Sequence, residues 1–186
     1  MKQMLSRRLI GAFLAAVSVL PAVAAGVRED TAQSMDARWR VAVQGVGGIY
    51  SGKVDRNGDW FAAASIEREW AMGDRYSVSV RFYPLFLYEG PETVCGAALG
   101  AALRAYQNGE ECNGWFGEIG FAPMWHWPRF EGNSSDINFL TETGVGYQFP
   151  GNDWHISLCY HHISNGGMGS HNAGANGVGL SIGRTF

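Results

Sequence analysis

The 186-residue chain carries 26 Gly, 7 Trp, 7 Tyr and 10 Phe, with 17% charged residues and a formal net charge of −3. That length suits one domain, and a slightly acidic balance excludes a nucleic-acid footprint. Many aromatics and glycines beside few charges suit a membrane barrel with aromatic girdles at its two interfaces.

Lys2, Arg7 and Arg8 precede an apolar run over 9–20, and Ala22-Val23-Ala24-Ala25 offers a small-residue cleavage site. That order predicts a secretory signal peptide over 1–25, with the mature domain over 26–186. The run is shorter than the roughly 20 residues a spanning helix needs. No second long apolar segment follows, which argues against a helical inner-membrane protein.

Strands are expected next at 39–50 and 60–70. From 76 the alternation is clean: Tyr76, Val78, Val80, Phe82, Phe86 and Tyr88 form an apolar face, and Ser77, Ser79, Arg81 and Tyr83 the other. Trp115, Ile119, Phe121, Trp125 and Trp127 share a face opposed by Glu118, Gly120, Ala122 and His126. Phe139, Val145, Tyr147 and Phe149 share another, opposed by Glu142, Gly144, Gly146 and Gln148. Two further strands run over 154–164 and 176–186. Aromatic faces opposed by Gly, Ser, Glu and Arg suit a lipid-facing wall around a narrow polar lumen, where Glu67, Glu69, Arg81, Glu118 and Glu142 would form ion pairs. His126, His155 and His161 share the lumen parity.

Bacterial barrels of this kind have an even strand number, so the fold class is an eight-stranded antiparallel transmembrane β-barrel. The eighth strand is either 94–106 or a segment before Trp39. In the second case 90–113 is an excursion that Cys95 and Cys112 could close in an oxidising compartment. If 94–106 crosses the membrane, those cysteines stand at opposite ends and cannot pair. Cys159 lies in a strand pattern and reads as a packed thiol. No CxxC, HExxH or other metal-ligand spacing appears, so neither metal nor cofactor is expected. The chain ends with Val178, Leu180 and Ile182 alternating ahead of Phe186, similar to the last strand of outer-membrane barrels; Arg184 departs from that pattern but can snorkel.

The chemistry sits near the end. Trp154, Ile156, Leu158 and Tyr160 face lipid, and period-2 alternation carries His162 and Ser164 onto the same face. Polar groups facing lipid are costly unless used. At roughly 3.3 Å per residue their Cα atoms lie about 6.6 Å apart, a gap an imidazole can span to a hydroxyl. Asn176, on the adjacent strand, has the same parity. A serine, a histidine that accepts its proton and a group that orients the histidine is the logic of a serine hydrolase. Asn176-Gly177 is also an ordinary turn signal, as is Ser-Asn-Gly.

His162-Ile163-Ser164-Asn165-Gly166-Gly167, followed by Asn172-Ala173-Gly174, resembles the H-x-S-N-x-G…N-x-G signature of the PagL-type lipid A 3-O-deacylases. The resemblance is strongest over 139–186. It implies Ser164 as nucleophile, His162 as base, Asn172 and the Gly167 amide at the oxyanion, with Asn165 in support, and no metal. It also implies an acid, often Glu, where this chain has Asn176. An amide cannot carry the charge that stabilises an imidazolium, although papain-like enzymes use an asparagine to orient their histidine.

The expected function is removal of the ester-linked acyl chain at position 3 of lipid A, by an outer-membrane serine esterase. Its expected partners are lipopolysaccharide and the outer membrane, with a homodimer left open. The competing expectations are a non-catalytic barrel for adhesion or membrane integrity, and an inactive relative of the deacylases.

Overall fold

The computed structural model describes residues 37–50, 53–108 and 111–186. The expected signal peptide over 1–25 lies outside them. Eight antiparallel strands follow one another: β1 (Ala37–Ile49), β2 (Trp60–Met72), β3 (Tyr76–Glu89), β4 (Thr93–Asn108), β5 (Asn113–Trp127), β6 (Ile137–Gln148), β7 (Trp154–Ser164) and β8 (Ala175–Thr185). Each pairs with the next, and β8 pairs with β1 to close the barrel. Closure leaves no strand edge unpaired, which is the condition for a sheet in lipid. Beyond β8, Trp39 and Phe186 exchange backbone hydrogen bonds of 3.0 and 2.8 Å, so the last residue continues the seam.

The eighth strand is β4, and the excursion over 90–113 does not occur. Cys95 sits at the start of β4 and Cys112 just beyond its far end, and no disulfide joins them.

Outward positions of β5 and β7 read Trp115, Ile119, Phe121, Trp125, Trp127 and Trp154, Ile156, Leu158, Tyr160, all exposed. The inward positions Phe116, Ala122, Met124, His126, His155, Ser157, Cys159 and His161 on the same strands are buried. This is the inverse of a soluble protein and suits a hydrocarbon solvent.

One departure from the expected parity is informative. Phe86 and Tyr88 are 0% and 2% exposed, whereas Val80 and Phe82 on the same strand are 49% and 43% exposed. The β3–β4 pairing jumps from Tyr83↔Ala98 to Phe86↔Gly96, and the β2–β3 pairing slips at the same level. An extra residue at Pro84-Leu85 makes a β-bulge, which reverses the facing of everything after it. Pro84, with no N–H to give the ladder, is suited to such a site.

The lumen divides in two. Toward the end where β1 begins and β8 finishes, Arg38, Arg40, Arg81 and Arg104 interleave with Glu67, Glu69, Glu118 and Glu142. Arg81 alone reaches Glu67, Glu118 at 2.7 Å and Glu142 at 2.6 Å. The expected carboxylates are all there; Arg38, Arg40 and Arg104 complete the set. At the opposite end an apolar cluster of Val46, Phe61, Phe86, Tyr88, Met124 and Ile163 fills the bore. Arg56 caps it, donating to Tyr88 Oη at 3.1 Å, Glu131 O at 2.7 Å and Ala173 O at 3.3 Å.

Candidate active site

The site lies where β7 ends and β8 begins, at the end of the barrel remote from the start of β1. The exposure pattern of β7 alternates through its length: Trp154, Ile156, Leu158 and Tyr160 face out, and His155, Ser157, Cys159, His161 and Ile163 face in. His162 and Ser164 follow on the outer side and are half-buried. Ladder pairing sets His162 directly opposite Asn176 on β8, and Ser164 opposite Phe139 on β6.

His162 and Asn176 are joined. His162 Nδ1–H donates to Asn176 Oδ1 at 2.7 Å. Tyr160 Oη–H donates to the same oxygen at 3.0 Å. With Nδ1 so engaged, Nε2 is the nitrogen left to accept a proton. Tyr160 had only its outward parity to mark it in the sequence, where it reads as one more lipid-facing aromatic.

Ser164 adjoins His162 along the strand, and Gly174 is the point both flank. A Cβ placed on Gly174 would stand 3.4 Å from His162 Cε1 and 3.6 Å from Ser164 Cβ. The turn behind Ser164 is held by Asn165, whose side chain is 0% exposed. Asn165 Nδ2 donates to His171 O at 2.8 Å and to Asn133 Oδ1 at 3.0 Å, and its Oδ1 accepts from Gly167 N–H at 2.9 Å. Its backbone N–H donates to Asn172 Oδ1 at 3.2 Å. The Asn172 side chain thus accepts from the backbone of the residue that follows Ser164. Gly166 and Gly167 both have positive φ, 62° and 80°, where L side chains are strained.

A further polar relay was not legible in the sequence. His126 Nδ1–H donates to the Pro128 carbonyl at 3.0 Å and its Nε2 accepts from Asn138 Nδ2 at 2.9 Å. Asn133 Nδ2 donates to Asn138 Oδ1 at 3.1 Å, and Asn133 in turn accepts from Asn165. Four buried side chains from two loops and two strands thus brace the turn after Ser164. Beyond it, Arg129 and Asp136 are paired at 2.7 Å in the exposed loop between β5 and β6, and this hydrogen bond holds the Asp136 carboxyl below its usual range. His171 is exposed in the β7–β8 loop, and His161 Nε2 lies 3.0 Å from Glu142 in the lumen. Among the described residues no group of His, Cys, Asp and Glu could hold a metal ion.

A closed eight-stranded antiparallel barrel with an apolar exterior and a charged, filled lumen is an outer-membrane β-barrel. Solved structures agree on that fold. The crystal structure of the outer-membrane enzyme PagL matches with a TM-score of 0.58 at 14% identity, over 78% of this chain and 98% of that one. Neisserial surface protein A matches with a TM-score of 0.51 at 13% identity, over 81% and 97%. The N-terminal barrel domain of Pseudomonas aeruginosa OprF matches with a TM-score of 0.50 at 12% identity, over 83% and 100%. No curated protein matches in sequence. The family model of the lipid A 3-O-deacylases (PagL) matches residues 44–185, and the chain belongs to that family.

Proposed function

We propose that the protein is a lipid A 3-O-deacylase, a serine esterase working from the outer wall of the barrel. The observation that carries the reading is the His162–Asn176 hydrogen bond, on a membrane-facing surface where an unused polar pair would be costly. Family membership supports the substrate class.

Ser164 Oγ attacks the carbonyl carbon of the acyl ester while its proton passes to His162 Nε2. The new Oγ–C bond puts a negative charge on the carbonyl oxygen, and stabilising that charge is usually the largest catalytic contribution. The Asn172 amide NH₂ supplies one donor. Gly167 N–H supplies a second when Asn165 Oδ1 shares or releases it. Collapse of the intermediate breaks the bond to the sugar oxygen, which leaves with the proton from His162. Water then repeats the sequence on the acyl-serine and frees the fatty acid.

Barrel termini normally lie in the periplasm, so the β7–β8 loop is extracellular and the site meets the outer leaflet, where lipopolysaccharide resides. The signal peptide over 1–25 delivers the chain across the inner membrane.

Expression in a Gram-negative host, with mass spectrometry of its lipid A, tests the reading. The protein is expected to remove one hydroxyacyl chain, and Ser164→Ala to remove none. An unmodified lipid A with the parent protein, or unchanged loss with Ser164→Ala, overturns it. A second reading, an inactive member of the family, rests on the amide at 176 in place of an acid, and the unmodified spectrum is the outcome it expects.

A further inference from the structure

An amide at the orienting position has a problem that an acid does not. Both oxygens of a carboxylate accept, so either can take the His162 Nδ1 proton. Asn176 presents one acceptor and one NH₂ donor. With the oxygen toward His162, Nδ1 carries the hydrogen and Nε2 has the lone pair needed for the serine proton. With the NH₂ toward His162, Nδ1 must accept, Nε2 carries the hydrogen, and the imidazole is useless as a base. In a serine protease the corresponding acid-to-amide change costs about 10⁴ in rate through this tautomer error.

Tyr160 acts on that choice. It lies two residues before His162 on the same face of β7, and its cross-strand partner is Val178 on β8. Its hydroxyl donates to Asn176 Oδ1 at 3.0 Å, alongside the 2.7 Å bond from His162. If the amide turned over, two N–H groups would face the tyrosine oxygen and imidazole, and the Tyr160 proton would lose its acceptor on an apolar wall beside Leu158 and Val178. Leaving a donor unsatisfied in such surroundings is unfavourable.

We propose that Tyr160 is a positioning residue that holds the Asn176 amide oxygen toward His162, selecting the tautomer whose Nε2 can act as base. It touches neither the ester nor the serine. It makes an asparagine serviceable where an acid would need no help. The kinetic part of this inference rests on the deacylase reading above; the tautomer itself does not.

The test crosses Tyr160→Phe with Asn176→Glu. With Asn176 present, Tyr160→Phe is expected to lower kcat about tenfold, the scale of one lost hydrogen bond, with KM unchanged. With Asn176→Glu, where both oxygens accept, the same change should alter kcat by less than about twofold. Equal losses in both backgrounds, or a loss carried by KM, overturn the proposal. A second readout needs no activity. In ¹⁵N-histidine-labelled protein in micelles at alkaline pH, where imidazoles are neutral, the signal absent from His162→Gln should report the Nδ1–H form. Tyr160→Phe, which keeps the ring on the outer wall, should shift it toward Nε2–H; an unmoved signal overturns the proposal. A tautomer shift in a protein that leaves lipid A intact would sink the deacylase reading and keep this one.

Discussion

Gly174 shows how little room the site leaves. A Cβ there would meet Ile163 O at 2.8 Å, on the backbone between His162 and Ser164. Backbone cannot swing aside as a side chain can, so the two strands must part. Gly174→Ala is therefore expected to cut deacylase kcat by about 10²-fold, the scale of a roughly 1 Å misplacement of reacting groups. Its cost in stability should be only about 1–2 kcal/mol. Lipid A turnover and urea unfolding in vesicles measure the two separately, and a large stability loss with kcat intact would contradict the argument. Arg184 is the other residue that repays attention. The sequence marks it as a departure from the terminal pattern. The side chain pairs with Asp153 at 2.9 Å and lies over the Trp154 and Phe186 rings at 5.5 and 5.2 Å, so the charge has partners at the barrel rim.

The strands differ in how well the sequence marks them. Those at β5, β6, β7 and β8 alternate plainly, and His162, Ser164 and Asn176 follow from that parity alone. β4 is Ala- and Gly-rich, so its pattern is faint; the even count calls for an eighth strand but leaves it open between 94–106 and a segment before Trp39. The bulge in β3 is invisible to parity reasoning, because an alternation can be extended past an inserted residue without any sign of the slip. Phe86 and Tyr88 were thereby expected on the outer wall, and the structure puts them in the apolar half of the lumen. The difference can be measured. Phe86→Ala should cost about 3–5 kcal/mol, as for a buried aromatic, and Phe82→Ala on the outer wall markedly less. Equal costs in guanidinium unfolding would argue against the bulge. The Asn133–Asn138–His126 brace was out of reach for another reason. Its members come from the β5–β6 region and meet Asn165 because β6 pairs with β7 and brings the two loops together, a meeting that no spacing in the chain encodes.

At the scale of the whole molecule, the charged half of the lumen behaves as one unit. Four guanidinium groups face four carboxylates, and Arg81 stands among three of them. Buried ion clusters offer weak net stabilisation, because desolvation offsets the attraction, but removing one member strands the rest. Arg81→Met should cost about 3–5 kcal/mol, and adding Glu142→Gln should recover part of it. Unfolding midpoints of the single and double variants give the answer; a neutral single variant would mean that Arg104 and Arg40 can take over the orphaned carboxylates.

The filled bore has a further consequence, for the cell that carries the protein. A barrel with an empty centre is a leak, and the number of copies a membrane can hold is then limited by what passes through them. Here paired charges occupy one half of the lumen and packed aromatics the other. A bore filled this way offers solutes no open route, so copies of such a barrel can be added to a membrane without a matching rise in its permeability.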